Sequence, residues 1–124
     1  MRMAQIALDN YIYKKPHRGS RNTTTVSGFD WDDGNRAKCQ KHGVTVAEVE
    51  AVFRHPHHLA PDVAHSTDET RFLAIGRGDG PRPIFVAFTL RERDEENLIR
   101  PISARYMHLK EIVHYDQATA PSDP

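Results

Sequence analysis

Residues 84–91, IFVAFTLR, decide the fold that we expect for this chain. In a strand, Ile84, Val86, Phe88 and Leu90 share one wholly apolar face, while the other face is mixed and ends in Thr89 and Arg91. Residues 71–77, RFLAIGR, show a similar pattern, and the segment GDGPRP between the two stretches is typical of a hairpin turn. The two stretches therefore predict adjacent antiparallel strands.

Residues 98–105, LIRPISAR, predict a third strand after the charged segment ERDEEN. Pro101 cannot donate a hydrogen bond to a neighbouring strand, so it favours an edge position or a bulge. Simple alternation puts Pro101, Ser103 and Arg105 on one face of this strand. A short strand near residues 59–63 can add a fourth. The sequence thus predicts a three- to four-stranded antiparallel sheet.

Two short helices are predicted before the strands. Asp32 or Asp33 can cap the first helix. This helix runs to about His42, and Gly43 supplies the left-handed residue that ends many helices. Residues 45–48, TVAE, match the capping box that opens a second helix.

A final helix is predicted over residues 108–116. Leu109, Ile112 and Val113 lie on one side of it, and we expect that side to face the sheet. Two N-terminal helices, a three- to four-stranded antiparallel sheet and a C-terminal helix make a small α+β domain.

The 124 residues fit one domain with one core. Residues 1–28 carry five of the 17 bases and one of the 17 acids, so they are net +4 and the remainder is net −4. This distribution predicts a flexible basic arm at 1–28, a folded domain at 29–116 and a disordered tail at 117–124. The acidic body argues against a basic nucleic-acid platform.

Cys39 is the lone cysteine, so it cannot form an internal disulfide, and a reducing compartment is indicated. We expect it to be a buried or half-buried side chain. The longest apolar run is far shorter than the roughly 20 residues that span a bilayer, and the N-terminus lacks a signal-peptide core. We therefore expect a soluble, cytoplasmic protein without membrane contact.

Histidines cluster at His55, His57 and His58, with His65 nearby. Their spacing matches no standard zinc pattern, and no cysteine joins them. A polar loop with incidental histidines is the favoured interpretation, so we expect neither metal nor cofactor. A metalloprotein built on this loop is the remote alternative.

The arginines of the strands form the more informative pattern. Arg91 and Thr89 share one face of their strand, and Arg105 and Ser103 share a face of the next strand. If these strands pair, two guanidinium groups and two hydroxyls converge, and guanidinium binds phosphate bidentately. Together with a carboxylate and a His or Lys, they are the parts of a metal-free RNA phosphodiesterase. Solvated surface arginines are the alternative.

Three segments together resemble one protein family. They are FDWDDGNRAKCQKHGVTVAEVEAVF at 29–53, DETRFLAIGR at 68–77 and, after PIS, ARYMHLKEIVHYD at 104–116. This assembly resembles the BrnT toxins, the ribonuclease components of type II toxin–antitoxin pairs, and KHGV combined with ISAR is its specific part. The chain departs from the family pattern at Pro101, in the segment HPHH and in the few bases of its last helix.

The resemblance implies a RelE-like fold and a metal-independent endoribonuclease without cofactor that arrests translation. It also implies a BrnA-like antitoxin whose ribbon-helix-helix part binds DNA, so that the toxin reaches DNA only through the complex. The candidate catalytic residues are Lys41, His42, Glu69, Arg71, Arg91 and Arg105, and the candidate RNA-binding residues are Lys38, Thr89 and Ser103.

Within this set, Arg91 and Arg105 are the proposed phosphate clamps. Glu69 or His42 accepts the proton of the 2′-OH, and Lys41 or His42 donates a proton to the leaving oxygen. A second hypothesis is a non-catalytic module that keeps the toxin fold and binds an antitoxin or another partner.

Overall fold

The fold was taken from a computed structural model, which describes residues 4–7, 23–62 and 69–119. In chain order its elements are β1 (Ala4–Ala7), β2 (Thr23–Val26), β3 (Gly28–Phe29), α1 (Asp33–Gln40), α2 (Val46–Arg54), β4 (His57–Pro61), β5 (Phe72–Arg77), β6 (Pro83–Arg93), β7 (Glu96–Tyr106) and α3 (Leu109–Thr119). No helix among these residues is long and apolar enough to cross a bilayer.

The predicted meander is present and forms most of a five-stranded sheet in the order β3-β7-β6-β5-β4. Strands β4 to β7 pair antiparallel, whereas β3 pairs parallel with β7 through Gly28↔Leu98 and Phe29↔Ile99. The α+β class is therefore confirmed, but this sheet has five strands where three to four were predicted, and β3 makes it mixed rather than purely antiparallel. β1 and β2 form a separate two-stranded sheet.

The core lies between α2 and one face of the sheet. Val49 and Phe53 of α2 meet Val86 and Phe88 of β6, and all four side chains are at most 4% exposed. The rings of Phe53 and Phe88 pack edge to face with centroids 5.1 Å apart. Full burial of such side chains contributes roughly 1.5–3 kcal/mol each, so this layer fixes α2 on the sheet.

Both predicted helix starts are confirmed. Asp32 is the N-cap of α1 and exchanges hydrogen bonds with Asn35, while Thr45 caps α2 and exchanges them with Glu48. The first helix ends at Gln40, two residues before the predicted end, and Gly43 then takes the left-handed φ of +87°. Helix α1 packs along β7, so the residues after it reach the sheet near Ser103.

Pro101 lies at a bulge, as predicted. Ala87 pairs with Ser103 but Phe88 pairs with Pro101, so Ile102 has no partner on β6. Pro101 is fully buried opposite Phe88, on the core face. The prediction that it shares a face with Ser103 is therefore wrong, because the extra residue shifts the alternation by one.

Helix α3 differs from its prediction in orientation and length. Leu109 and Val113 are 77% and 51% exposed, so the prediction that they face the sheet is wrong. Ion pairs of Glu111 and Asp116 connect α3 to the sheet, as do ring contacts of Tyr115 with His58 and Arg77. Residues 117–119 of the predicted tail belong to this helix, and 120–124 lie outside the described residues.

The predicted N-terminal arm falls partly outside the described residues, which here are 4–7 and 23–28. Val26 is buried in the core, so the packed part of the chain begins before Phe29. His57 and His58 belong to β4 and not to a loop, which corrects the predicted histidine loop, and His65 lies outside the described residues.

Candidate functional site

Two neighbouring clefts lie on the face of the sheet that points away from α2, here called the open face. Apart from the core residue Ala104, the residues of β5, β6 and β7 that line these clefts have side chains on the face opposite the core. The cationic cleft is lined by Gly34, Asn35, Lys38, Glu69, Arg71, Arg91, Arg100 and Ile102. The apolar cleft is lined by His42, Leu73, Phe85, Ala87, Ser103, Ala104 and Arg105.

The cationic cleft has a volume of about 440 Å³ and is lined by four basic side chains and one carboxylate. Arg91 Nη1 lies 3.0 Å from Glu69 Oε2, and both side chains remain partly exposed, at 42% and 39%. The excess of positive charge favours an anion with several oxygens. An exposed ion pair of this kind is weak, so an incoming phosphate can replace the carboxylate at low cost.

Arg100 is a member of the cationic cleft that the sequence analysis missed. Its Nη2 donates to Asp32 at 2.9 Å, and its Nη1 lies 3.5 Å from Asp30, a carboxylate that is 7% exposed. Simple alternation would place Arg100 and Ser103 on different faces of the sheet. The bulge at Ile102 instead puts both side chains on the open face. The proline next to Arg100 was the signal that could have revealed this shift.

The hydrogen bond from the Asn35 backbone and the Arg100 guanidinium together hold the pKa of Asp32 below its ordinary value. Asp32 thereby joins the start of α1 to β7. Asn35 Nδ2 makes a second connection, donating to the carbonyls of Asp30 and Pro101 at 2.9 and 2.7 Å. These bonds fix the position of α1, and with it the side chain of Lys38 at the cleft.

In the apolar cleft, Arg105 is held in one orientation. Its Nη1 and Nη2 donate to the two carboxylate oxygens of Glu111 at 2.9 and 3.0 Å. Its guanidinium also lies over the ring of Phe85, 4.5 Å from the centroid. Hydrogen bonds from Arg105 lower the pKa of Glu111 to about 2, and the same pair raises the pKa of Arg105.

The structure brings most of the predicted site residues to this face but not all of them. Lys38, Glu69, Arg71 and Arg91 line the cationic cleft, and His42, Ser103 and Arg105 line the apolar cleft. Lys41 is exposed and is not among the described residues that line either cleft.

Thr89 lies opposite Arg100 on the neighbouring strand, beneath the surface. It is fully buried, and its hydroxyl has no hydrogen-bond partner among the described residues. RNA can contact this hydroxyl only if the side chains above it move.

The Cys39 thiol and the histidines near the start of β4 could act as a nucleophile or as metal ligands, but each contacts other parts of the fold. Cys39 is fully buried, as predicted, and burial raises the pKa of its thiol to about 11. His55 is paired with Asp79 at 2.9 Å, and His57 Nδ1 lies 2.8 Å from the carbonyl of His55. Within residues 4–7, 23–62 and 69–119, no three His, Cys, Asp or Glu side chains are grouped so that they could hold a metal ion.

A five-stranded, mostly antiparallel sheet with three helices is consistent with a small RelE-like toxin fold, and here the open face of that sheet carries a basic cleft. The family profile of the BrnT ribonuclease toxins of type II toxin–antitoxin systems matches residues 31–111. The chain belongs to this family, and membership implies an RNA substrate and a cognate antitoxin. No curated protein matches the chain significantly.

Proposed function

We propose that this chain cleaves RNA on the open face, with the scissile phosphate in the cationic cleft. The observation that carries the proposal is the convergence of Lys38, Arg71, Arg91 and Arg100 around one cleft. Guanidinium groups stay charged at all physiological pH values and match the geometry of phosphate oxygens. They would stabilise the additional negative charge that develops as the pentavalent phosphorane forms.

The two proton transfers are assigned to different clefts. Lys41 lies outside the described lining of both, so we assign the donor role to His42 and the acceptor role to Glu69. The carboxylate takes the proton of the 2′-OH, whose oxygen attacks phosphorus, and the imidazole protonates the leaving 5′ oxygen. The products are a 2′,3′-cyclic phosphate and a 5′-hydroxyl. Each transfer moves a proton between the RNA and one side chain of this chain, so cleavage is proposed to proceed without metal.

Cleavage of a labelled RNA by purified protein in EDTA tests this assignment. Arg91→Ala should reduce the rate about 100-fold or more, as expected for loss of a group that stabilises developing charge. Arg54→Ala is the matched control, because Arg54 is an exposed arginine at the end of α2. Its rate should stay within about twofold of wild type. Wild-type rates for Arg91→Ala would remove Arg91 from the site.

We further propose that the cognate antitoxin is BrnA-like, with a ribbon-helix-helix part that supplies all contacts to DNA. The net charge of −4 outside residues 1–28 supports this, because an acidic body is a poor partner for duplex phosphate. Mobility-shift assays with the operator should show no binding by the toxin alone and binding by the complex. Binding by the toxin alone would contradict the proposal.

A second candidate function is a non-catalytic module that binds an antitoxin or another partner. It is favoured by the two ion pairs on the open face, Arg91 with Glu69 and Arg105 with Glu111, which leave both predicted phosphate clamps already occupied by carboxylates. Expression of the chain alone in bacteria discriminates the two. Growth arrest relieved by the partner supports the toxin, and normal growth at high expression of folded protein supports the module.

A further inference from the structure

We propose that the apolar cleft is a binding site for one nucleobase of the RNA, next to the phosphate in the cationic cleft. This inference rests on the proposed function and deepens it, because it assigns to a second set of residues the recognition of a base. The observations that carry it are the different chemistry of the two clefts, their adjacency and the fixed stack of Arg105 on Phe85.

The two clefts differ in what they can bind. Five of the eight residues that line the cationic cleft are charged, whereas four of the seven in the apolar cleft are Leu73, Phe85, Ala87 and Ala104. A phosphate gains nothing from an apolar floor, but a base buries its ring there. The volume of about 230 Å³ is below the roughly 300–1,000 Å³ of pockets for drug-sized ligands, so it suits a single ring system.

The stack of Arg105 on Phe85 provides a platform for the base. Arg105 is fixed by both carboxylate oxygens of Glu111 and by the carbonyl of Tyr106, at 3.3 Å from Nη1. Splayed RNA bases stack on aromatic rings and on guanidinium planes alike. Because Arg105 is already immobilised, a base that stacks on it loses little further side-chain entropy.

The polar group that reads the base is Ser103. It is exposed at the rim of the apolar cleft, beside Arg105, and its hydroxyl can both donate to and accept from a base edge. The clefts meet at this point of β7, since Ile102 lines the cationic cleft and Ser103 the apolar one. One nucleotide can therefore place its phosphate in the first and its base in the second.

The test is a methyl NMR titration of the full chain with the four ribonucleosides, which carry no phosphate, and separately with inorganic phosphate. At least one nucleoside should shift the methyl signals of Leu73 and Ala87, while phosphate should shift the side-chain Nε–Hε signal of Arg91. Ala87→Leu fills the floor of the cleft and should abolish the nucleoside shifts at Leu73. Ala47→Leu, at an exposed position of α2, is the matched control and should keep them.

The outcomes separate this inference from the proposed function. If RNA is cleaved but millimolar nucleosides leave the wild-type methyl signals in place, the base site is refuted and the nuclease stands. If nucleosides bind but RNA stays intact, the base site stands and the nuclease is refuted. In the wild-type background, Ser103→Ala should change the ratio of cleavage rates between RNAs of different sequence about 10-fold. An unchanged ratio would overturn the assignment of Ser103.

Discussion

Asn35 should be the side chain whose loss most disturbs the position of α1. Asn35→Ala removes two donors, to the carbonyls of Asp30 and Pro101, and one acceptor, for the backbone N–H of Asp32. Each buried group left without a partner costs about 1–3 kcal/mol, and the N–H lies nearer the surface than the two carbonyls. We therefore expect a loss of about 4 kcal/mol from the roughly 5–15 kcal/mol that stabilise a domain of this size.

Urea denaturation followed by circular dichroism measures this loss. With a slope of about 2 kcal/mol/M, the midpoint should fall by about 2 M. Asn35→Asp keeps the acceptor for the Asp32 N–H but turns a buried carboxylate oxygen toward the two carbonyl oxygens, so its midpoint should fall at least as far as that of Asn35→Ala. Gln40→Ala removes a bond of similar type at the exposed end of the same helix and should change stability by less than about 0.5 kcal/mol. A loss below about 1 kcal/mol for Asn35→Ala, at unchanged slope, would refute the reasoning.

Three further predictions concern single side chains. The pKa of Glu111 is about 2 against 4.5 for a free side chain, so the stabilisation from its pair with Arg105 is complete above pH 4.5 and is lost as the pH falls through 2. Carboxyl NMR should give a midpoint near 2 that Arg105→Gln returns toward 4.5, and an unmoved midpoint would exclude the pair as its cause. The thiol of Cys39, with a pKa of about 11, should resist alkylation in the folded protein and react in urea, and equal rates would show that it is accessible. Asp94 and Glu95 have φ of 50° and 67°, a left-handed backbone that strains residues other than glycine. Glu95→Gly should therefore add about 1 kcal/mol of stability and about 4 °C to the melting temperature. A melting temperature below that of wild type would show that Glu95 is not strained.

Features set by neighbours in the sequence were predicted well. The capping box of α2, Thr45 with Glu48, was predicted in full, whereas for α1 the cap at Asp32 or Asp33 was predicted but not its partner Asn35. The meander followed from the alternation of apolar residues, because a sheet with one buried face needs that period.

Features set by distant partners were not predicted. β3 has two residues and therefore no period to detect, and it is a strand because it hydrogen-bonds with β7. The exposure of Leu109 could not be read from helical spacing, since α3 is positioned by ion pairs with Arg77 and Arg105 of the sheet.

The candidate site shows the same division. Alternation along the strands indicated that Arg91, Ser103 and Arg105 share a face, and the clefts contain all three. Arg100 was missed because a bulge changes the parity of β7, and the pairing of Arg105 with Glu111 was missed because α3 folds back onto the sheet. Arg100 adds a positive charge to the cationic cleft, and Glu111 neutralises the charge of Arg105 in the apolar cleft.

Analysis of the ends of the RNA products tests the central claim most directly. Wild-type protein in EDTA should produce fragments that end in a 2′,3′-cyclic phosphate and begin with a 5′-hydroxyl, as identified by mass spectrometry. Arg91→Ala, verified as folded by circular dichroism, should produce about 100-fold less of them. Intact RNA at every dose of folded wild-type protein, or products with 5′-phosphate ends, would contradict the account.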